Sequence, residues 1–179
     1  MSGAGNGRRV LALVGLRCSG KTTVGRALAE LSGAAFRDLD EEVASRAGLG
    51  SAGEVIEELG LDRFRELESA ALARVLETAG DRTVLATGGG AVESAGSVER
   101  LRQDAFVVWL RAPLGVLRQR MGDDPTSARP RITPGDEDEF ISLDRRRGPL
   151  YEAAADVVLD VGDRAPGDLA AALDGIWRG

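Results

Sequence analysis

Near the amino end, Gly15-Leu16-Arg17-Cys18-Ser19-Gly20-Lys21-Thr22 follows the spacing G-x-x-x-x-G-K-[ST], whose chemistry is the holding of phosphate. The glycines let consecutive backbone N–H groups turn inward around phosphate oxygens, and a helix opening directly after them adds the partial positive charge of its amino end. Lys21 can then reach the β and γ phosphates of a nucleotide, and the Thr22 hydroxyl can ligate Mg²⁺. The competing reading is a glycine-rich turn with a chance lysine. Composition weighs against it, because of 23 basic residues Lys21 alone is a lysine. Cys18 reads as a small filler in the loop, with no second thiol or histidine to activate it.

A transferred phosphoryl needs an acceptor beside that loop. Asp38 and Asp40 are two residues apart at the expected end of a strand, where alternate side chains project the same way. Asp40 suits the orientation and deprotonation of a hydroxyl, and Asp38 a hold on Mg²⁺ through water. The plainer alternative is helix capping, with Asp40 leading Glu41 and Glu42 into a first turn. Thr87-Gly88-Gly89-Gly90 bares the backbone where a ligand could approach closely, or makes a tight turn. Arg65 and Arg129-Pro130 are further candidates in a chain whose arginines should mostly be surface residues. Arg145-Arg146-Arg147 reads as the basic last turn of a helix, which the helix dipole favours.

These residues need rigid elements behind them. Short apolar runs at 10–14, 34–36, 83–86, 105–110 and 156–159 have the length of buried strands, and helical patterns separate them. Val24, Ala27, Leu28 and Leu31 share a face of one helix ending at Gly33, and Phe64 to Leu76 share the face of another ending at Gly80. Ser51 with Glu54 reads as a capping box, and Pro113 suits a first helical turn. Such alternation predicts a doubly wound α/β domain, with ligands at the carboxyl ends of parallel strands. Residues 1–8 read as a flexible tail and 9–179 as a single domain. Within it, 122–138 carries three prolines and clustered charge, and reads as a lid or a solvated loop.

Composition narrows the function. The chain has 179 residues, no histidine and one cysteine, so imidazole-based triads, histidine-bearing zinc sites and internal disulfides are excluded. A net charge of −6 argues against a dedicated nucleic-acid or anionic-membrane binder. Arg8-Arg9 before an apolar run imitates a signal peptide, but the run is short and Arg17 stands where a small residue should precede cleavage, so the cytoplasm is expected. A GTPase would need a second lysine in Asn-Lys-x-Asp, and Arg37-Asp38 interrupts the apolar run a motor-type ATPase places before its acidic pair. A small-molecule kinase remains.

The ordered set Gly15-x4-Gly20-Lys21-Thr22-Thr23-Val24-Gly25, Asp38-x-Asp40, Phe64-Arg65-x-Leu67-Glu68, Ala86-Thr87-Gly88-Gly89-Gly90-Ala91-Val92, Arg129-Pro130 and Arg147-x-Pro149-Leu150-Tyr151 resembles the shikimate kinases, from about Val10 to the carboxyl end. That resemblance implies a three-layer α/β/α sandwich on a five-stranded parallel sheet, of the nucleoside-monophosphate-kinase-like P-loop type, with a lid. It implies transfer of the ATP γ-phosphoryl to the 3-hydroxyl of shikimate, giving shikimate 3-phosphate and ADP on the way to chorismate and the aromatic amino acids. By position, ATP would fall to Gly15, Cys18, Ser19, Gly20, Lys21, Thr22, Thr23, Arg120, Arg129, Arg164 and Pro166. Shikimate would fall to Asp40, Arg65, Gly88, Gly89, Gly90 and Arg147, the two arginines gripping its carboxylate. Lys21, Asp40 and Arg129 would be catalytic, with Mg²⁺ at Thr22 and, through water, Asp38. The implied partners are ATP and shikimate alone, bound by a cytoplasmic monomer. Arg17-Cys18 departs from the Met-Gly often found in the family's loop, and 122–138 is longer and more acidic than its usual lid. A kinase of another small hydroxy acid such as gluconate, and a nucleotide-binding regulatory module without catalysis, are the alternative readings.

Overall fold

The computed structural model describes residues 8–123 and 139–178. Five parallel strands form one sheet in the order β2-β3-β1-β4-β5, with β1 Val10–Val14, β2 Ala35–Asp38, β3 Thr83–Ala86, β4 Ala105–Arg111 and β5 Val157–Asp160. The helices are α1 Lys21–Ser32, α2 Leu39–Ala47, α3 Ala52–Leu59, α4 Leu61–Thr78, α5 Ala95–Asp104, α6 Leu114–Asp123, α7 Glu139–Ala154 and α8 Pro166–Arg178, with a 3-10 turn at Ala91–Glu93.

The strand period of two divides the core. Along β1, Val10, Ala12 and Val14 enter one apolar cluster while Leu11 and Leu13 enter the other, and β4 divides in the same way. One face is closed by α1 and α8 through Val24, Leu28, Leu169, Leu173 and Trp177. The other is closed by α2 to α5 and α7 through residues such as Leu39, Val55, Leu72, Leu101, Phe140 and Tyr151. Strands β1 and β3 are buried throughout, while the edge strands β2 and β5 are only half covered.

Several local expectations shift. Strand β2 runs to Asp38, so Asp38 caps α2 and Asp40 lies in its first turn. The two carboxylates are therefore not strand neighbours projecting together, and the capping residue is Asp38 rather than Asp40. Ser51 does cap α3 by accepting from the Glu54 N–H, but the Glu54 carboxylate takes the N–H of Gly50 instead of completing the box at Ser51. Pro113 sits one residue before α6 and accepts from Leu117 N–H. Arg8, placed in the tail by sequence, donates to the Ala105 carbonyl and pairs with Asp156.

The largest shift concerns α7. It does not stop after Arg147 but continues through Gly148 and Pro149 to Ala154. An internal proline costs about 3 kcal/mol in lost hydrogen bonding and ring crowding. Burial of Tyr151 and Ala154 beyond it anchors the final turn. Arg147 thus lies mid-helix on the face of Leu143 and Tyr151, four residues away on either side, and is buried, whereas Arg145 and Arg146 are exposed.

Helix α1 lies so close to the sheet that a Cβ on Gly25 would stand 2.7 Å from the Phe36 ring and 3.3 Å from Leu13 Cδ1. A side chain here gains about 0.5 kcal/mol of helix propensity but costs about 2–3 kcal/mol in overpacking. Gly25→Val is accordingly expected to lower the urea midpoint at unchanged m-value, measured by circular dichroism.

Candidate active site

The phosphate loop leaves the carboxyl end of β1 and closes at the amino end of α1. Gly15 has φ 144°, and a Cβ there would lie 2.6 Å from the Leu110 carbonyl oxygen, so only glycine lets the chain turn away from β4 at this point. Cys18 is the one non-glycine residue with positive φ among the described residues. Lys21 is nearly buried, and its Nζ donates to the carbonyls of Gly15 at 2.9 Å and Leu16 at 2.8 Å, bracing the loop from within. Thr22 Oγ1 donates to Asp38 Oδ2 at 2.8 Å, while Asp38 Oδ1 accepts from Asp40 N–H at 3.0 Å. Asp38 thereby ties the loop to the end of β2 and the start of α2.

On the outer side of the loop a cleft of about 330 Å³ is lined by Cys18, Ser19, Gly20, Thr23, Arg120, Arg164 and Pro166. The Arg120 guanidinium stands 3.4 Å from the carbonyls of Cys18 and Ser19. Residues from the loop, α6 and the start of α8, far apart in the chain, therefore share one cleft. Arg129 lies outside the described residues, as do Pro130 and most of the stretch 122–138.

On the inner side a tight cavity of about 40 Å³ gathers Arg17, Asp40, Arg65, Glu68, Gly88, Gly89, Gly90 and Arg147. Thr87 fixes the triglycine to the sheet, its N–H and Oγ1 both donating to the Leu13 carbonyl. A Cβ on Gly88 would collide with Glu68 and stand 2.8 Å from Asp40 Oδ1, and one on Gly90 would collide with the Arg65 guanidinium. A Cβ on Gly89 would be 3.5 Å from Gly15 O and Arg17 N. The three glycines are thus the wall that lets the charged side chains and the phosphate loop meet. The six candidates for the acceptor, Asp40, Arg65, Gly88, Gly89, Gly90 and Arg147, all line this one cavity.

Three carboxylates to which the sequence reading gives no role balance its arginines. Glu68 pairs with Arg65 at 2.7 Å. Glu93 pairs through Oε2 with Arg65 at 3.0 Å and Arg147 at 2.9 Å, and through Oε1 with Arg146 at 2.8 Å. Glu139, at the start of α7, pairs with Arg17 at 2.5 Å, and the Arg17 guanidinium carbon lies 5.3 Å from the centroid of the Phe140 ring. The Tyr151 hydroxyl donates to the Gly89 carbonyl, and burial raises its pKa. The spacing of Arg65 and Glu68 on one helical face signals their pair, but no local pattern links Glu93 to arginines on two other elements.

Two of these acids shift in opposite directions although burial pushes both upward. Desolvation raises Glu68 above the ordinary value of 4.5, with Asp40 adding to it, and outweighs the attraction of Arg65 and Arg147. Burial would raise Glu93 too, but its contacts with Arg147, Arg146 and Arg65 prevail and hold it below 4.5. Because folding raises the Glu68 pKa, the folded chain holds this proton more tightly than the unfolded chain. The associated stability is complete below 4.5 and is lost as pH rises through the folded value. Glu68→Gln, which cannot ionise, is expected to gain stability relative to the native protein as pH rises from below 4.5 to 8, measured by paired urea denaturations.

The family model described as shikimate kinase matches residues 17–174. A shikimate kinase of Nitratidesulfovibrio vulgaris is 43% identical over 145 residues, 80% of this chain and 81% of that protein. A shikimate kinase 2 of Yersinia enterocolitica is 40% identical over 151 residues, 83% of this chain and 84% of that protein. Among solved structures, the shikimate kinase from Acinetobacter baumannii in complex with shikimate superposes with a TM-score of 0.84 at 34% identity, over 93% of this chain and 90% of that one.

Proposed function

The chain belongs to the shikimate kinase family, and we propose from that premise that it transfers the γ-phosphoryl of ATP to the 3-hydroxyl of shikimate. The observation that carries the reading is the inner cavity. Arg65 and Arg147 stand close enough to share one carboxylate oxygen, beside Asp40 and directly behind the phosphate loop. Paired guanidiniums with planar N–H donors suit a carboxylate on a compact ring, and Asp40 on the same wall suits its hydroxyl. A gluconate kinase would share the loop and the fold, and the arginine pair together with the close glycine wall favours the cyclic acid.

In this reading the nucleotide lies across the loop with its phosphates toward the backbone N–H groups and its base in the outer cleft among Arg120, Arg164 and Pro166. Lys21, drawn from the Gly15 and Leu16 carbonyls, meets the phosphates and neutralises charge as the phosphoryl leaves. Asp40 orients the acceptor oxygen for in-line attack and takes its proton. The part given to Arg129, charge stabilisation on the transferred group, rests on the Arg129-Pro130 motif alone. No cluster of three metal-binding side chains exists among the described residues. The Thr22 hydroxyl and the Asp38 carboxylate, 2.8 Å apart, are hard oxygen donors that fit Mg²⁺ completed by ATP phosphates and water. That ion would offset phosphate charge. Among the described residues no helix is long and apolar enough to cross a membrane, which agrees with action in the cytoplasm, where ATP is supplied.

Coupled ADP release with shikimate, quinate and gluconate, each with Mg²⁺ and ATP, is the direct test. Turnover with shikimate well above the other two is expected, and turnover with gluconate alone overturns the reading. Lys21→Met should lower kcat by at least about 10³-fold. Because it also unties two loop carbonyls, a lower melting temperature should accompany that loss. Arg65→Ala should chiefly raise the KM for shikimate, by about 10²-fold, leaving the KM for ATP near its native value.

A further inference from the structure

Glu93 does not line the acceptor cavity, yet it touches both arginines that do. It closes the 3-10 turn directly after the triglycine and belongs instead to the wall of a broad groove on the other side, with Val98, Arg102 and Leu150. A single oxygen, Oε2, receives NH2 of Arg65 from α4 and NH2 of Arg147 from α7. Arg65 uses its other terminal nitrogen, NH1, on Glu68. Arg147 is 3% exposed, its Nε has no hydrogen-bond partner among the described residues, and Glu93 is its only carboxylate contact there. Two like charges on separate helices would repel across a desolvated gap, and a buried guanidinium without a counter-charge is costly.

We propose that Glu93 is a positioning residue that clamps Arg65 and Arg147 from behind, presenting their remaining N–H groups to the acceptor's carboxylate. This inference rests on the proposed function, since it takes the cavity arginines as the acceptor's carboxylate site. Arg146, exposed on α7, takes the second oxygen of Glu93 and fixes the carboxylate plane. The clamp competes for arginine charge only from the far side, so its net effect is orientation. Removing its charge should weaken acceptor binding, although the cavity itself becomes more positive. That sign separates a positioning role from a mere competitor for the arginines.

The test compares the native protein with Glu93→Gln, which keeps the shape and removes the charge. The KM for shikimate is expected to rise about tenfold, with kcat and the KM for ATP within about twofold. For a shikimate analogue with the carboxylate replaced by hydroxymethyl, the two proteins should have equal KM. A KM for shikimate that holds or falls overturns the inference, as does an equal rise for the analogue. If the native protein does not turn over shikimate, the functional reading fails. The inference is then judged on the arginine Nε–H resonances of ¹⁵N-labelled protein, located by Arg65→Lys and Arg147→Lys spectra. Movement of both in Glu93→Gln supports the clamp, and unmoved resonances overturn it. Should Glu93→Gln not fold, Glu93→Asp, with its shorter reach, is put to the same measurements and the same criteria.

Discussion

Five strands running in one direction deliver their carboxyl ends to a single edge of the sheet, and the backbone of the candidate site is built on that edge. The phosphate loop follows β1, Asp38 ends β2, and Thr87 with its three glycines follows β3. Strand β1 lies between β3 and β4, so the loop meets the triglycine on one side and the Leu110 carbonyl on the other. Hydrogen bonds then refine what sheet polarity brings near. Thr87 holds to Leu13, Thr22 to Asp38, and Lys21 to the carbonyls of its own loop. Parallel sheets place ligands at this edge because strand ends and helix amino ends converge there.

The chemistry gathered at that edge depends on charge balance without histidine. The inner cavity holds Arg17, Arg65 and Arg147 against Asp40 and Glu68, with Glu93 and Glu139 closing the network from outside. Each guanidinium carries several N–H groups in a fixed plane, so a structural carboxylate can hold one while others remain for a substrate. Glu68 and Glu93 differ in acidity because burial, with Asp40 adding to it, prevails at Glu68, whereas three arginine partners overcome burial at Glu93. Glycine supplies the remaining wall. At Gly88 and Gly90 any Cβ would occupy space already taken by Glu68 and Arg65.

Much of this was legible before folding. The apolar runs located all five strands to within a few residues, since buried parallel strands read as continuous hydrophobic segments. Helix α1 opened after the loop and stopped at Gly33 as its spacing implied. The misplacements have a common physical origin in tertiary packing that overrides a local rule. Helix α7 passes through Pro149 because Tyr151 buries completely beyond it, and Arg147 leaves the basic surface turn suggested by its neighbours. Asp38, rather than Asp40, became the cap because β2 extended two residues further than its apolar run.

The candidates that share the inner cavity were named by resemblance to the shikimate kinases, and what the order of residues determined by itself is the phosphate loop and the parallel α/β layering. Those depend on short-range spacing, hydrophobic period and turn chemistry, which act within a few residues. Only the tertiary structure decided which of three consecutive arginines is buried, and that one glutamate spans α4 and α7 to hold three of the chain's arginines. A charge pair formed across elements far apart in sequence leaves no periodic trace, because its energy exists only once packing has excluded water and brought the partners within reach.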